Sequence, residues 1–251
     1  MLSKNKIRQI QSLSKKKERD ESSLFVAEGN KMVSDLLPLF HCHTLVATEE
    51  FLSQHHRCGA EEVVESSREE IRKASLLCSP QSAIAIFCQK KVNLDVNALS
   101  DGLSLMLDTV QDPGNLGTII RIADWFGVKD ILCSPETVDV YNPKVVQSTM
   151  GAIGRVRVHY VDLCRLLDGM NSAVPVYGTF LDGDNIYGKE LSKNGIIVMG
   201  NEGNGISLEV ERRITERLFI PSFQTGDSCS ESLNVAVATA IACSEFRRRM
   251  I

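Results

Sequence analysis

Three short stretches of the chain combine side chains that can hold a polar reactant with glycines that let it approach the backbone. The first, DTVQDPGNLGTIIR, sets Asn115 beside Pro113 and Gly114 and ends on Arg121. The second, VMGNEGNGIS, surrounds Glu202 with Gly200, Gly203 and Gly205. The third, RLFIPSFQTGDSCSESLNVAVATAI, brings Ser232 and Asn234 to the head of an alanine-rich run. An amide offers donor and acceptor together, a guanidinium is a fixed planar fork, and a glycine loop exposes backbone N–H groups to a ligand. No His or Cys lies in the core of any of the three motifs. That composition argues against a Ser/His or Cys/His hydrolase and against metal-assisted hydrolysis. What remains is a reaction that depends on orientation more than on strong acid–base chemistry.

Each stretch taken singly also has a plainer reading. Arg121 precedes Asp124 by three residues, a surface pair worth a few tenths of a kcal/mol. The spacing GxxGxG is not the dinucleotide fingerprint GxGxxG, and no GK[ST] follows it, so neither a dinucleotide loop nor a phosphate loop is indicated. Ser232 reads as a helix N-cap with Asn234 in the first turn, a place that attracts an anion.

The elements that must position these residues follow from hydrophobic periodicity. A basic helix is expected from residue 3 to about 19. Strand LFVAEG, helix NKMVSDLLPLF, strand HTLVA, helix EEFLSQHH, strand EEVVES, helix SREEIRKASLL and strand SAIAIFCQ then form a small α/β unit over residues 1–90. A polar stretch at 91–102 has no clean period and reads as a linker. Residues 103–251 carry a second series: strands LSLMLD, KDILCS, RVRVHY, VPVYGTF, GIIVMG and RLFIP alternate largely with helices, the last of them SLNVAVATAIACSEFRRRM. Alternation of this kind predicts a parallel sheet with helices on both faces. Ligands of such sheets bind beyond the carboxyl ends of the strands, which is where all three stretches fall. At about 100° per residue, Leu116, Ile119, Ile120, Ala123 and Phe126 share one stripe, while Arg121 points away beside Thr118 and Trp125.

The 251 residues carry a formal net charge of -4, which argues mildly against nonspecific nucleic-acid binding. The charge is uneven, however. Lys4, Lys6, Arg8, Lys15, Lys16, Lys17 and Arg19 crowd one end, and Arg247, Arg248 and Arg249 the other; a solvated helix face accounts for such runs by charge alone. The eight cysteines are scattered without a CxxC and read as buried reduced thiols. His41, Cys42, His43, His55, His56 and Cys58 supply donors for zinc, but their spacing fits no standard pattern and HCHTLVA reads as the start of a strand, so no metal is expected. No apolar run of about eighteen residues occurs and the N-terminus lacks an apolar signal block, so no membrane segment and a cytoplasmic location are expected.

Taken in order, the three motifs resemble those of a SpoU-type (TrmH-like) RNA 2'-O-ribose methyltransferase of the SPOUT superfamily. NLGTIIR is similar to the family's first motif, VMGNEGNGIS to its second and IPSFQTGDSCSESLNVAVATAI to its third; NPKVVQSTMGAI, FVAEG and SPQSAIAIF are similar as well. The resemblance implies a C-terminal trefoil-knotted α/β domain that binds S-adenosylmethionine between the second and third motifs and pairs as a homodimer. It also implies an N-terminal RNA substrate-binding domain with the fold of a small ribosomal RNA-binding protein, and so reads the basic N-terminus as an RNA contact. By carry-over, Gly200, Ile220 and Leu233 hold the cofactor, and Asn115, Arg121, Glu202, Ser232 and Asn234 surround the reacting ribose. The reaction implied is in-line attack of a 2'-hydroxyl on the sulfonium methyl, a step governed by alignment. The family nominates Arg121 as base, yet a guanidinium holds its proton far above neutral pH. The expectation here is that Arg121 grips the adjacent phosphate and stabilises the developing alkoxide, with Glu202 orienting it. Ribosomal RNA is the expected substrate; transfer RNA, or a non-catalytic RNA-binding assembly factor, is the alternative.

Overall fold

The computed structural model of the protein describes residues 2–55, 59–223 and 232–249. They form two compact units. One runs to Lys91 and resumes over Asp139–Arg155; the other covers Val92–Val138 and the chain from Val156 onward.

In the first unit the basic stretch expected as one helix forms two, α1 (Lys4–Ser12) and α2 (Lys16–Ser22). The corner between them is held by Arg19, only 1 % exposed, whose guanidinium donates to the carbonyls of Leu13 and Ser14 and to the Asp139 carboxylate at 2.6 Å. A buried cation persists only when paired and hydrogen-bonded, and Arg19 is both. Strands β1 (Leu24–Glu28), β2 (Cys42–Ala47), β3 (Glu62–Glu65) and β4 (Ala83–Cys88) lie in the order β1-β4-β2-β3, antiparallel except for β2 with β3. Helices α3 (Asn30–Leu36), α4 (Glu49–Gln54) and α5 (Arg68–Ala74) connect them. α3 ends at Leu36 with Leu37 still helical as its C-cap, because Pro38 beyond it has no N–H to continue the ladder, and α5 opens on a capping box between Ser67 and Glu70. Ile10, Leu13, Val26, Val46, Ile71 and Ile86 meet in one core cluster.

The described histidines of this unit, His41, His43 and His55, have local partners. His41 bonds Glu61 at 2.6 Å, His43 bonds Thr44, and His55 stacks on Phe51 and bonds Ser34. Among the described residues no group of three or more His, Cys, Asp or Glu is placed to hold a metal ion; His56 and Cys58 lie outside them. Cys42, Cys133 and Cys243 are buried, as expected, whereas Cys78 is exposed.

The second unit is built on β5 (Leu103–Leu107), α6 (Pro113–Trp125) and β6 (Asp130–Cys133); after α7 (Pro143–Thr149), which groups with the first unit, come β7 (Arg157–Tyr160), α8 (Leu163–Asp168), β8 (Val176–Phe180), β9 (Asp184–Asn185), β10 (Gly195–Met199), α9 (Leu208–Glu211), β11 (Glu216–Phe219) and α10 (Val235–Arg248). The sheet runs β7-β6-β5-β10-β8-β11-β9 and every pair in it is parallel. LSLML of β5 and GIIVM of β10 are buried at every position, as parallel strands covered on both faces must be. β10 lies between β5 and β8, with Met199 opposite Leu107. The loops that leave β5 and β10 therefore emerge side by side at the carboxyl edge.

Two stretches fall differently from the expectation. Within 91–102 the chain from Val92 onward packs as part of the second unit, its 3₁₀ turn Asn97–Ser100 burying Leu99 in that unit's core. Residues 139–155, expected with the C-terminal domain, group with the first unit because Asp139 takes the Arg19 ion pair and the Tyr141 ring lies 4.7 Å from that of Phe25. Among the described residues no helix is long and apolar enough to cross a membrane.

Candidate active site

The first loop begins at Asp108, which is 5 % exposed. Its carboxylate accepts from the Ser207 N–H at 2.8 Å and the Thr109 hydroxyl at 3.2 Å, tying the end of β5 to the start of α9. Thr109 has φ 60°, a left-handed conformation that a β-branched residue seldom adopts and that costs on the order of 1–3 kcal/mol. Its surroundings fix it there: its N–H donates to Ser134 Oγ at 3.0 Å and its carbonyl accepts from Asn201 Nδ2 at 2.8 Å.

The polar turn that follows is already helix. Asp112 caps α6 by accepting from the Asn115 N–H at 2.8 Å, and Pro113 takes the first helical position, where its missing N–H costs nothing. Asn115 thus sits in the first turn of α6 rather than in a loop. Leu116, Ile119, Ile120 and Ala123 are buried as the stripe requires, while Phe126, at the C-cap, is half-buried. Arg121 is exposed, as its helical angle demands. It makes no hydrogen bond or ion pair among the described residues, so neither Asp124 nor Glu202 holds it.

The second loop is organised by Asn201. Its Oδ1 accepts from the N–H groups of Gly203 and Asn204, and its main chain forms a bridge to Gly205 with two hydrogen bonds of 2.9 Å. The bridge brings Gly205 across Gly200 so closely that a Cβ on Gly200 would stand 2.2 Å from the Gly205 carbonyl carbon. Only glycine fits this crossing.

At the third stretch the helix starts later than expected. Asn234, not Ser232, is the N-cap of α10, its Oδ1 accepting from Ala236 and Val237 N–H at 3.0 and 3.3 Å. The reason is that Asn234 itself turns into the extended cap conformation, leaving Ser232 and Leu233 ahead of the helix on the wall of a cleft. The loop TGDSCSE with Cys229 lies outside the described residues.

These pieces meet through side-chain amides. Asn234 Nδ2 donates to Asn115 Oδ1 at 2.9 Å, and Asn115 Nδ2 donates to Glu202 Oε1 at 2.8 Å. The direction of the chain is set by the cap: with Asn234 Oδ1 committed to backbone N–H groups, only its NH₂ faces Asn115, whose own NH₂ must then face the carboxylate. Beside this chain opens a cleft of about 630 Å³ whose walls include Gly200, Asn201, Glu202, Ile220, Ser232 and Leu233. Arg217 lines it from β11, lying 3.6 Å over the Phe180 ring and bonded to Glu211 and Asp182, which hold its guanidinium above its ordinary value. Of the eight residues read from the sequence, seven belong to the amide chain or the cleft. Arg121 stands apart on the exposed face of α6. Asp108, Thr109 and Asn201 were missed; the Asn-x-Gly pattern of NEGNG carries a turn signal that points to Asn201, whereas nothing local marks Asp108 or Thr109.

A parallel α/β sheet with residues of three motifs brought together beside one cleft defines a class, and comparison with known proteins identifies it. Residues 102–244 match the model of the SpoU rRNA Methylase family and residues 4–85 that of the MRM3-like substrate binding domain. The chain belongs to the SpoU rRNA methylase family. It is 30% identical over 247 residues to the 23S rRNA (guanosine(2553)-2'-O)-methyltransferase RlmP of Bacillus subtilis, covering 96% of each chain. Among solved structures it resembles a Porphyromonas gingivalis protein assigned to the TrmH family of RNA methyltransferases (42% identity, TM-score 0.87, 99% of each chain). It also resembles the AdoMet-bound rRNA methyltransferase of Sinorhizobium meliloti (32% identity, TM-score 0.85, 100% of this chain and 97% of that one).

Proposed function

We propose that this protein is an S-adenosylmethionine-dependent enzyme that methylates a ribose 2'-hydroxyl in ribosomal RNA. The observation that carries the reading is the amide chain Asn234–Asn115–Glu202, drawn from three motifs distant in sequence and standing beside the cleft. Relatives named as 23S rRNA 2'-O-methyltransferases favour ribosomal over transfer RNA. Intact motifs favour an enzyme over an RNA-binding assembly factor.

The cleft suits S-adenosylmethionine, since the crossing at Gly200 exposes backbone and Ile220 and Leu233 add apolar wall. Gly200, Ile220 and Leu233 would hold it. When bound, it supplies a methyl group on a sulfonium centre. Everything else falls to the chain's own residues. Asn115, Glu202, Ser232 and Asn234 would surround the ribose, the amide chain fixing which donor and which acceptor each presents. Arg121, without a protein partner among the described residues, is free to grip an RNA phosphate and to stabilise the charge on the 2'-oxygen as it gives up its proton to water and takes the methyl group. Glu202 would act on the ribose through Asn115 and not by orienting Arg121.

The same reading takes the first unit as the RNA-binding part, the second as a trefoil-knotted domain, and the enzyme as a cytoplasmic homodimer. Trp125, 85 % exposed on α6, and Val237, half exposed on the adjoining α10, support pairing through the second unit. Calorimetry with S-adenosylmethionine, together with mapping of 2'-O-methyl groups in ribosomal RNA from cells with and without the protein, tests the proposal. A protein with no affinity for the cofactor and an unchanged methylation map would defeat it.

A further inference from the structure

The first unit contains a cavity of about 420 Å³ that plays no part in the site described above. Glu28, at the end of β1, lines it and is only 4 % exposed. Its carboxylate accepts from the Ser75 hydroxyl and from the Leu76 N–H at 2.8 Å, and it forms no ion pair among the described residues. Burial pushes its carboxyl above the usual range despite those two bonds. Two oxygens offer about four acceptor positions, so a buried, unpaired carboxylate with two neutral donors is short of hydrogen bonds.

The remaining walls suit a flat, polar-edged ligand. Val26, Leu76, Leu77 and Pro143 supply apolar surface. Asn142 spends its Oδ1 on the Lys144 N–H at 2.9 Å, which leaves its NH₂ as the group to offer, and the Gln147 side chain has no partner among the described residues. Ser14, at the edge, leads directly into exposed Lys15, Lys16 and Lys17, and Lys144 is exposed as well. This is the basic run that the second unit's chemistry leaves unexplained.

We propose that this cavity takes an unstacked guanine of the RNA substrate, Glu28 accepting from guanine N1–H and N2–H, the Asn142 NH₂ donating to O6, and the lysines at the edge meeting the flanking phosphates. Guanine alone among the four bases presents two adjacent donors on its Watson–Crick edge, matching the two oxygens of a carboxylate. Adenine and cytosine set a ring acceptor beside their amino group, and uracil flanks its single N–H with carbonyls. Single-stranded RNA is read in this way, by splayed bases bonded on that edge against apolar or stacked side chains. A guanidinium would also satisfy Glu28, but the surrounding lysines select an anionic ligand. The inference rests on RNA being the substrate.

The test is methyl NMR on the full chain, titrated separately with GMP, AMP, CMP and UMP. GMP is expected to shift the methyls of Val26, Leu76 and Leu77 saturably and at least tenfold more tightly than AMP, with Glu28→Gln weakening it at least tenfold. Because Glu28 also secures Ser75 and Leu76, Gln147→Trp provides a second variant that fills the cavity without touching those bonds, and it must abolish the same shifts. No response at these methyls, an equal response to all four nucleotides, or indifference to both variants overturns the proposal. Calorimetry with S-adenosylmethionine on the same sample keeps the two readings apart: cofactor binding without GMP binding sinks the cavity alone, whereas loss of cofactor affinity sinks the enzyme assignment.

Discussion

Replacing Gly200 by alanine is expected to disable the cofactor cleft while leaving the fold intact. The added Cβ would stand 2.2 Å from Gly205 C, 2.3 Å from Ile206 N and 2.5 Å from Gly205 O, all main-chain atoms. Carbon atoms rest about 3.5–4.0 Å apart, so the segment must retreat by roughly 1 Å or more. It cannot do so without opening the Asn201–Gly205 bridge, whose two hydrogen bonds are worth about 1 kcal/mol each. Losing about 2 kcal/mol corresponds to a drop of about 30-fold in affinity, and a displacement of ~1 Å in a positioning loop lowers the rate by roughly 10²-fold. Calorimetry with S-adenosylmethionine and single-turnover methyl transfer measure the two effects, with circular dichroism confirming the fold. Gly203→Ala is the control, since a Cβ there meets only Asn201 Oδ1 at an ordinary 3.5 Å, and both readings should stay within about threefold of the parent. Should Gly200→Ala bind the cofactor as well as Gly203→Ala does, the crossing is not what shapes the cleft.

Arg121→Lys should lower methyl transfer on the order of 10²-fold with cofactor affinity unchanged, because a point charge cannot reproduce a planar fork; near-normal turnover would remove Arg121 from the reaction. Asn234→Ala should cost about 1 kcal/mol of stability by uncapping α10. Asn234→Asp keeps the cap but loses the donor to Asn115, so urea melts should match the parent while methyl transfer falls by up to about tenfold; full activity in the Asp variant would show that the amide chain positions nothing. Glu245, bonded by Arg248 and Arg249, has its carboxyl drawn down to about 2, chiefly by the bond from Arg248. A depressed carboxyl stabilises the fold above its unfolded value of about 4.3 and loses that contribution as pH falls through about 2. Glu245→Gln should therefore cost roughly 1 kcal/mol in urea melts at pH 7, shrinking toward pH 2; a difference that persists unchanged in acid would locate its cause elsewhere.

The sequence by itself determined the architecture of the second unit. LSLML and GIIVM admit only strands buried on both faces, alternation with amphipathic helices makes their sheet parallel, and the 3.6-residue period turns Arg121 outward from Leu116, Ile119 and Ile120. These are statements about local burial, and local burial is what periodicity records. Only tertiary structure decided that β10 enters between β5 and β8, that Asn115 meets Glu202 and Asn234 at separations of 87 and 119 residues, and that Asp108 ties one loop to the next. Likewise Asp112 and Asn234 became caps because their side chains could reach particular N–H groups, a choice that Ser232 satisfied equally well on paper. Residues 139–155 joined the first unit through Arg19 and Phe25, partners more than a hundred residues away. Adjacency between distant segments is fixed by how elements pack, and packing leaves no period in the chain.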